Sequence, residues 1–156
     1  MVQNLPQTRI SPNKKSGIIV YTLAAVLSLI GLFDALYLAV EHISGRSVRC
    51  TIVTGCDEVL SSPYATVAGI PLAFLGAIAY FACFSLTILT IFGYRLAGNL
   101  LTILVVLMFL VTLLLLYLQA FVIGHFCQFC LVSAGVTILL TILVAVRYYT
   151  SLSMRR

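Results

Sequence analysis

Residues 18–40 read IIVYTLAAVLSLIGLFDALYLAV, 23 residues with a single charged side chain, Asp34. At 1.5 Å per residue a helix of this length crosses a hydrocarbon core of about 30 Å. A cleaved leader needs a shorter apolar core and a small-residue cleavage site, so the run reads as a retained first transmembrane helix. Three further runs behave in the same way: 71–92, 96–122 and 127–146, none of them carrying a charge. Gly93–Tyr94–Arg95 and Gly124–His125 separate the last three. Four spans with short connections and one longer loop predict an all-α membrane protein, an up-down bundle of four transmembrane helices.

Composition agrees. The chain is 62% hydrophobic and 8% charged, against about 25% charged in soluble domains. That little polar surface cannot cover a water-soluble body, so membrane lipid is an expected partner. The net charge of +5 is split into short patches, with no basic face interleaved with aromatics, which excludes nucleic acid.

The four spans form one domain, 18–149, flanked by a polar, disordered lead (1–17) and a basic tail (150–156). Between the first and second spans lies a polar loop. Within it Ser62–Pro63 has the form of an N-cap followed by proline at the first helical position, which predicts a short interfacial helix ahead of Gly69–Ile70–Pro71. An even number of spans puts both termini on one side. That side holds Arg9, Lys14, Lys15, Arg95, Arg147, Arg155 and Arg156, and the other only Arg46 and Arg49. The basic side is expected to be cytoplasmic, with the 42–70 loop facing outward.

On this map four of the five cysteines gather at the outer face, in the compartment where disulfides persist. Cys127–Gln128–Phe129–Cys130 is a C-x-x-C motif at the start of the fourth helix. Positions i and i+3 share a helix face, and the helix N-terminus lowers the pKa of the cysteine nearest to it, Cys127. Cys130 lies one turn deeper, within reach of a lipid-soluble oxidant. Cys50 and Cys56 form a loop pair, with Gly55 supplying backbone freedom. A mobile loop cysteine can meet a soluble protein and then Cys127, since exchange needs only a thiolate and an accessible disulfide. Electrons would enter at the loop, pass to the helix pair and leave to a membrane carrier. The loop pair reads equally well as a structural staple. His42 and His125 are not spaced to complete a zinc site with either pair, and Cys83, mid-span, reads as a small buried residue.

The chain resembles the vitamin K epoxide reductase family, its prokaryotic members in particular. The residues that carry the likeness are Cys50, Gly55–Cys56–Asp57, Ser61–Ser62–Pro63–Tyr64, Gly69–Ile70–Pro71 and Cys127-x-x-Cys130, across roughly 18–150. A loop pair ahead of the C-x-x-C is the order found in that family, and the reverse of the order in functionally analogous disulfide-bond oxidases. The resemblance implies a helical bundle around a quinone of the ubiquinone, menaquinone or vitamin K type. It places Cys130 beside the quinone, Cys56 as the cysteine that exchanges with Cys127, and Cys50 as its loop partner. Ser62 falls at the quinone site, and Phe74, Phe126 and Phe129 are candidate linings.

The implied activity moves electrons from an exported thioredoxin-like (DsbA-like) protein to the quinone, in the plasma membrane of a prokaryote, supporting disulfide formation. Regeneration of reduced vitamin K is the alternative within the enzyme class, and a disulfide-stapled, non-enzymatic bundle the alternative outside it. Two departures stand out. Ala134 occupies the position of a quinone-contacting tyrosine in the vertebrate enzymes, and the chain does not continue into a thioredoxin-like domain, so a separate partner is expected. Asp34 is a candidate proton relay, and Asp57 and Glu58 are expected to raise the pKa of the Cys56 thiol.

Overall fold

The structure, a computed structural model, describes residues 12–45, 55–67 and 69–153, with side chains over 17–45, 55–67 and 69–150. Cys50, Arg46 and Arg49 lie outside the described residues, as do the first eleven residues of the lead and the last three of the tail. Helix α1 covers Pro12–Ile43, so it begins inside the segment expected as an irregular lead, with Pro12 at its start. Helix α2 is short, Cys56–Leu60. A single 3-10 turn follows at Pro63–Ala65, then a two-residue antiparallel pair, β1 (Thr66–Val67) with β2 (Ile70–Pro71), in the register Thr66↔Pro71. Helix α3 covers Leu72–Ile91, α4 Arg95–Tyr117 and α5 Gln128–Ser153.

Four helices are long and apolar enough to cross a membrane, over Gly17–Ile43, Leu72–Ile91, Arg95–Ile123 and Gln128–Thr150. They pack in the cycle α1–α3–α4–α5–α1, which sets α1 diagonally across from α4. The short helix between the first two spans is α2, upstream of the Ser62–Pro63 signature. That signature opens the 3-10 turn, and the Ser62 hydroxyl donates back to the Val59 carbonyl at 2.7 Å instead of capping it.

Lipid offers no hydrophobic drive for helices to associate, so close approach of small residues holds such bundles together. Helix α1 shows how. Ala24, Ser28, Gly31, Ala35 and Leu38 are buried at steps of three and four residues, one stripe along the helix. Phe33, Val40 and Ile43 point outward, each more than half exposed, as a lipid-facing surface requires. The stripe meets Tyr80 of α3, 2% exposed. A Cβ built on Gly31 would overlap ring carbons Cε1, Cδ1 and Cζ of Tyr80.

The ring has nowhere to go. Its hydroxyl donates to the Ser133 carbonyl at 2.9 Å and lies 2.8 Å from Ser133 Oγ and 2.9 Å from Thr137 Oγ1, all on α5. Gly31 and Tyr80 therefore fix α1, α3 and α5 relative to one another. Cys83 is fully buried one turn further along α3, its Sγ 3.5 Å from Met108 Sδ of α4.

Helix α4 passes without a break into a π-helical turn, Leu118–Ile123. Gly124, in the left-handed conformation (φ 72°), ends it with its N–H on the Gln119 carbonyl at 3.0 Å. This turn brings the chain round to the C-x-x-C.

Gly31→Ala is expected to destabilise the bundle by about 1–3 kcal/mol through overpacking, seen as a lower unfolding temperature in detergent. In a Tyr80→Phe background, where the ring is no longer tethered, the same change should cost less; equal costs would show that the tether is irrelevant.

Candidate functional site

Cys56 opens α2 and is 1% exposed; Cys127 precedes α5 and is 0% exposed. Both belong to one buried cluster with Leu38 and Val59, against which Cys130 and Phe129 also pack. Gly55 is what allows this. Its φ of 144° is open to few side chains other than glycine's, and an added Cβ would lie 2.9 Å from His125 Cβ and 3.1 Å from the Phe126 carbonyl oxygen. The loop thus seats Cys56 directly against the turn that carries Cys127.

The redox states differ between the two. Cys56 is held in a disulfide, whereas Cys127 and Cys130 carry free thiols. A thiol pKa for Cys56, and hence the expected effect of Asp57 and Glu58 upon it, has no meaning in this state. Cys127 lies one residue ahead of the fourth span, and its thiol is lowered from its ordinary value near 9 to about 7. The largest cause is the hydrogen bond from the Cys130 side chain, helped by the backbone N–H groups of Cys130, 3.4 Å away, and Phe129. These are N–H groups that the first helical turn leaves unpaired, and only together with the Cys130 side chain do they outweigh the opposing effect of burial.

Gln119 completes the support. It is 4% exposed, sits in the π-helical turn, and its Oε1 accepts from the Cys127 N–H at 3.3 Å; its side chain also hydrogen-bonds Cys130. Sequence reasoning passed over it. The available signal was an amide inside an apolar run, which usually faces a bundle interior.

Cys130 opens onto a cavity of about 150 Å³ between α1, α2, α3, α4 and α5. Asp34, Ser62, Gln119, Ser133 and Ala134 line it among mostly apolar neighbours. One carboxyl oxygen of Asp34 is buried without a hydrogen-bond partner. A dry cavity of about this volume holds a benzene-sized ring. A single planar ring with polar oxygens suits an apolar wall set with hydroxyl, amide and carboxyl groups, so the residues present fit a quinone headgroup.

The structure therefore brings Ser62, Cys130 and Ala134 to one cavity and Cys56 and Cys127 to the buried cluster against which Cys130 packs. Phe74 is not among the lining residues. It stands 43% exposed on the outside of α3, because Ala73 and Gly76 occupy the inward face at that level. Phe129 does not line the cavity either; its ring packs on Tyr37 at 5.2 Å and braces the cysteine cluster. Phe126 is exposed.

The model of the vitamin K epoxide reductase family matches residues 12–145, nearly the whole chain. The chain belongs to the vitamin K epoxide reductase family. No individual curated protein matches it significantly. Membership makes it a multi-pass membrane oxidoreductase of a quinone-linked family whose members typically work with thioredoxin-like partners. A small cavity beside a C-x-x-C at a helix start is consistent with such chemistry.

The lowered Cys127 pKa gives a pH signature. In reduced protein the thiolate absorbance should rise with a midpoint near pH 7, because the deprotonated form is the one stabilised. Cys130→Ala removes the largest cause and should move the midpoint up toward 9; an unmoved midpoint would discard the assignment.

Proposed function

We propose that the protein takes electrons from an exported thioredoxin-like protein and passes them through Cys50 and Cys56 to Cys127 and Cys130, and from there to a quinone in the bilayer. The observation that carries this is the burial of Cys56 and Cys127 in one cluster, with Cys130 opening from it onto the ring-sized cavity. Cys56 oxidised beside a reduced helix pair is the arrangement a relay has after the internal exchange.

A partner dithiol reduces the loop disulfide, Cys50–Cys56 in this reading, and leaves oxidised. Cys56 thiolate attacks the Cys127 sulfur of an oxidised helix pair, Cys130 departs as the thiol, and Cys50 resolves the mixed disulfide. The helix pair, now a dithiol, closes its disulfide again and releases two electrons and two protons. A quinone bound in the cavity is the acceptor of both. The low pKa of Cys127 makes it the better leaving group when the mixed disulfide is resolved. Gln119 holds the Cys127 backbone in register, and the unpartnered Asp34 oxygen is placed to hold a proton at the cavity wall.

Charge distribution supports placing the cysteine end outside and the termini in the cytoplasm of a prokaryotic plasma membrane. Burial of Cys56 in one cluster with Cys127, against which Cys130 also packs, favours a relay over a staple. Ala134 leaves the cavity wall on α5 without the phenol hydroxyl that the vertebrate enzymes carry at that position, which favours disulfide formation over vitamin K epoxide reduction as the main role.

Purified protein given a reduced thioredoxin-like protein and a quinone should form quinol. Cys130→Ala should abolish turnover while the helices remain folded, and should trap a Cys56–Cys127 mixed disulfide detectable by peptide mass. Undiminished turnover in that variant excludes the relay, and unfolding of every cysteine variant would favour the staple. Asp34→Asn should slow the quinone-reducing half-reaction by about 10²-fold, the lower range for a positioned proton donor, leaving exchange with the partner unchanged. An equal fall in both half-reactions would make Asp34 structural.

A further inference from the structure

A second cleft lies at the opposite end of the bundle, and nothing in the relay uses it. Its volume is about 590 Å³, and its lining includes Tyr21 of α1, Thr90 of α3, Tyr94, Arg95 and Asn99 around the start of α4, and Arg147 of α5. All belong to helix ends remote from the cysteines.

Arg147 is drawn inward. Its guanidinium carbon sits 5.7 Å from the centre of the Tyr21 ring, and a Cβ on Gly17 would lie 3.0 Å from one of its terminal nitrogens. Its Nε is buried with no hydrogen-bond partner. The protein has no acid to offer it. The chain's four acidic side chains are Asp34, Glu41, Asp57 and Glu58, none of which lines the cleft. A buried guanidinium N–H without an acceptor is costly, and the planar fork of arginine matches phosphate oxygens two at a time. Asn99 and the first turn of α4, which carries no acidic residue, add donors on the facing wall.

We infer that this cleft binds a phosphate group, supplied by the headgroup of an anionic phospholipid. The surroundings favour a lipid over free phosphate. Phe92 and Leu96, 76% and 71% exposed, bracket in sequence the lining residues Gly93, Tyr94 and Arg95 and offer apolar surface to acyl chains. Tyr94 and Tyr148, both more than half exposed, are amphipathic rings of the kind found at headgroup depth. Paired basic residues in a cleft between spans recognise anionic headgroups in just this way.

The test is native mass spectrometry of the full chain in mild detergent, offered equal amounts of phosphatidylglycerol and phosphatidylcholine. One phosphatidylglycerol should be retained in preference. R95Q and R147Q together should lower retention by about fivefold for each arginine removed, while R49Q, the same charge change between α1 and α2, should leave it intact. A parallel arm adds inorganic phosphate to the protein holding phosphatidylglycerol: retention that survives the phosphate supports the lipid headgroup, and displacement of the lipid by phosphate overturns it in favour of the free anion. Should the double variant fail to fold, R95Q alone, at an exposed position, and R147K, which keeps the charge but loses the fork, report the same loss. Equal retention of the two lipids with no phosphate binding, or a preference that survives R95Q/R147Q, overturns the proposal.

Discussion

The close seating of Gly55 against the His125–Phe126 turn is the contact on which the site depends. A loop cysteine and a helix cysteine separated by 71 positions have to share one buried cluster for a bond to pass between them. Glycine permits this twice over, by tolerating a φ of 144° and by leaving out the Cβ that would collide with the turn. The five-residue helix α2 then projects Cys56 and Val59 into the cluster and leaves Asp57 and Glu58 exposed.

A second constraint sets the cavity. Gly31 and Tyr80 hold α1 against α3, and the Tyr80 hydroxyl ties both to Ser133 and Thr137 of α5. Asp34 lies one turn beyond Gly31 on α1 and Cys130 one turn before Ser133 on α5. One tethered ring therefore determines how far the carboxyl stands from the thiol, and a packing residue outside the cavity controls the geometry within it.

Much of this was legible from residues alone. Apolar runs of about twenty residues have one stable form in lipid, so the four spans followed from length, and the C-x-x-C followed from its place at the fourth run's start. Ser62 and Ala134, marked out by the family resemblance, both line the cavity. What escaped has a common cause. Inside an all-apolar helix the hydrophobic pattern does not say which face is inward, so it marks Phe74 as a lining residue although the side chain faces outward, and Phe129 likewise although it braces the cluster. The π-helical turn that aims Gln119 at Cys127 arises from backbone geometry at the end of a long helix and leaves no mark in composition. The sign of inward direction was the small-residue stripe from Ala24 to Ala35, which period-based reading of hydropathy passes over.

Among the described residues, two buried side-chain atoms lack a partner: Asp34 Oδ2 and Arg147 Nε. One is a carboxyl oxygen and the other a guanidinium nitrogen, and they lie in separate cavities toward opposite ends of the bundle. Pairing them with each other would have silenced both, but α1 and α5 place Asp34 and Arg147 at different depths. Buried polar groups in native structures are nearly always satisfied, and in lipid the penalty for an exception grows because no water stands by. Two such exceptions, each at the wall of a cleft and each facing away from any protein partner, are more economically explained by molecules that enter from the membrane than by tolerance of two defects. In the proposed relay that molecule is the quinone, to whose oxygen a protonated Asp34 would donate, and in the proposed lipid site it is a headgroup phosphate that accepts from Arg147. On both proposals the bilayer would supply the missing hydrogen-bond partner, so the same solvent that forces the four helices to form would also complete the polar sites between them.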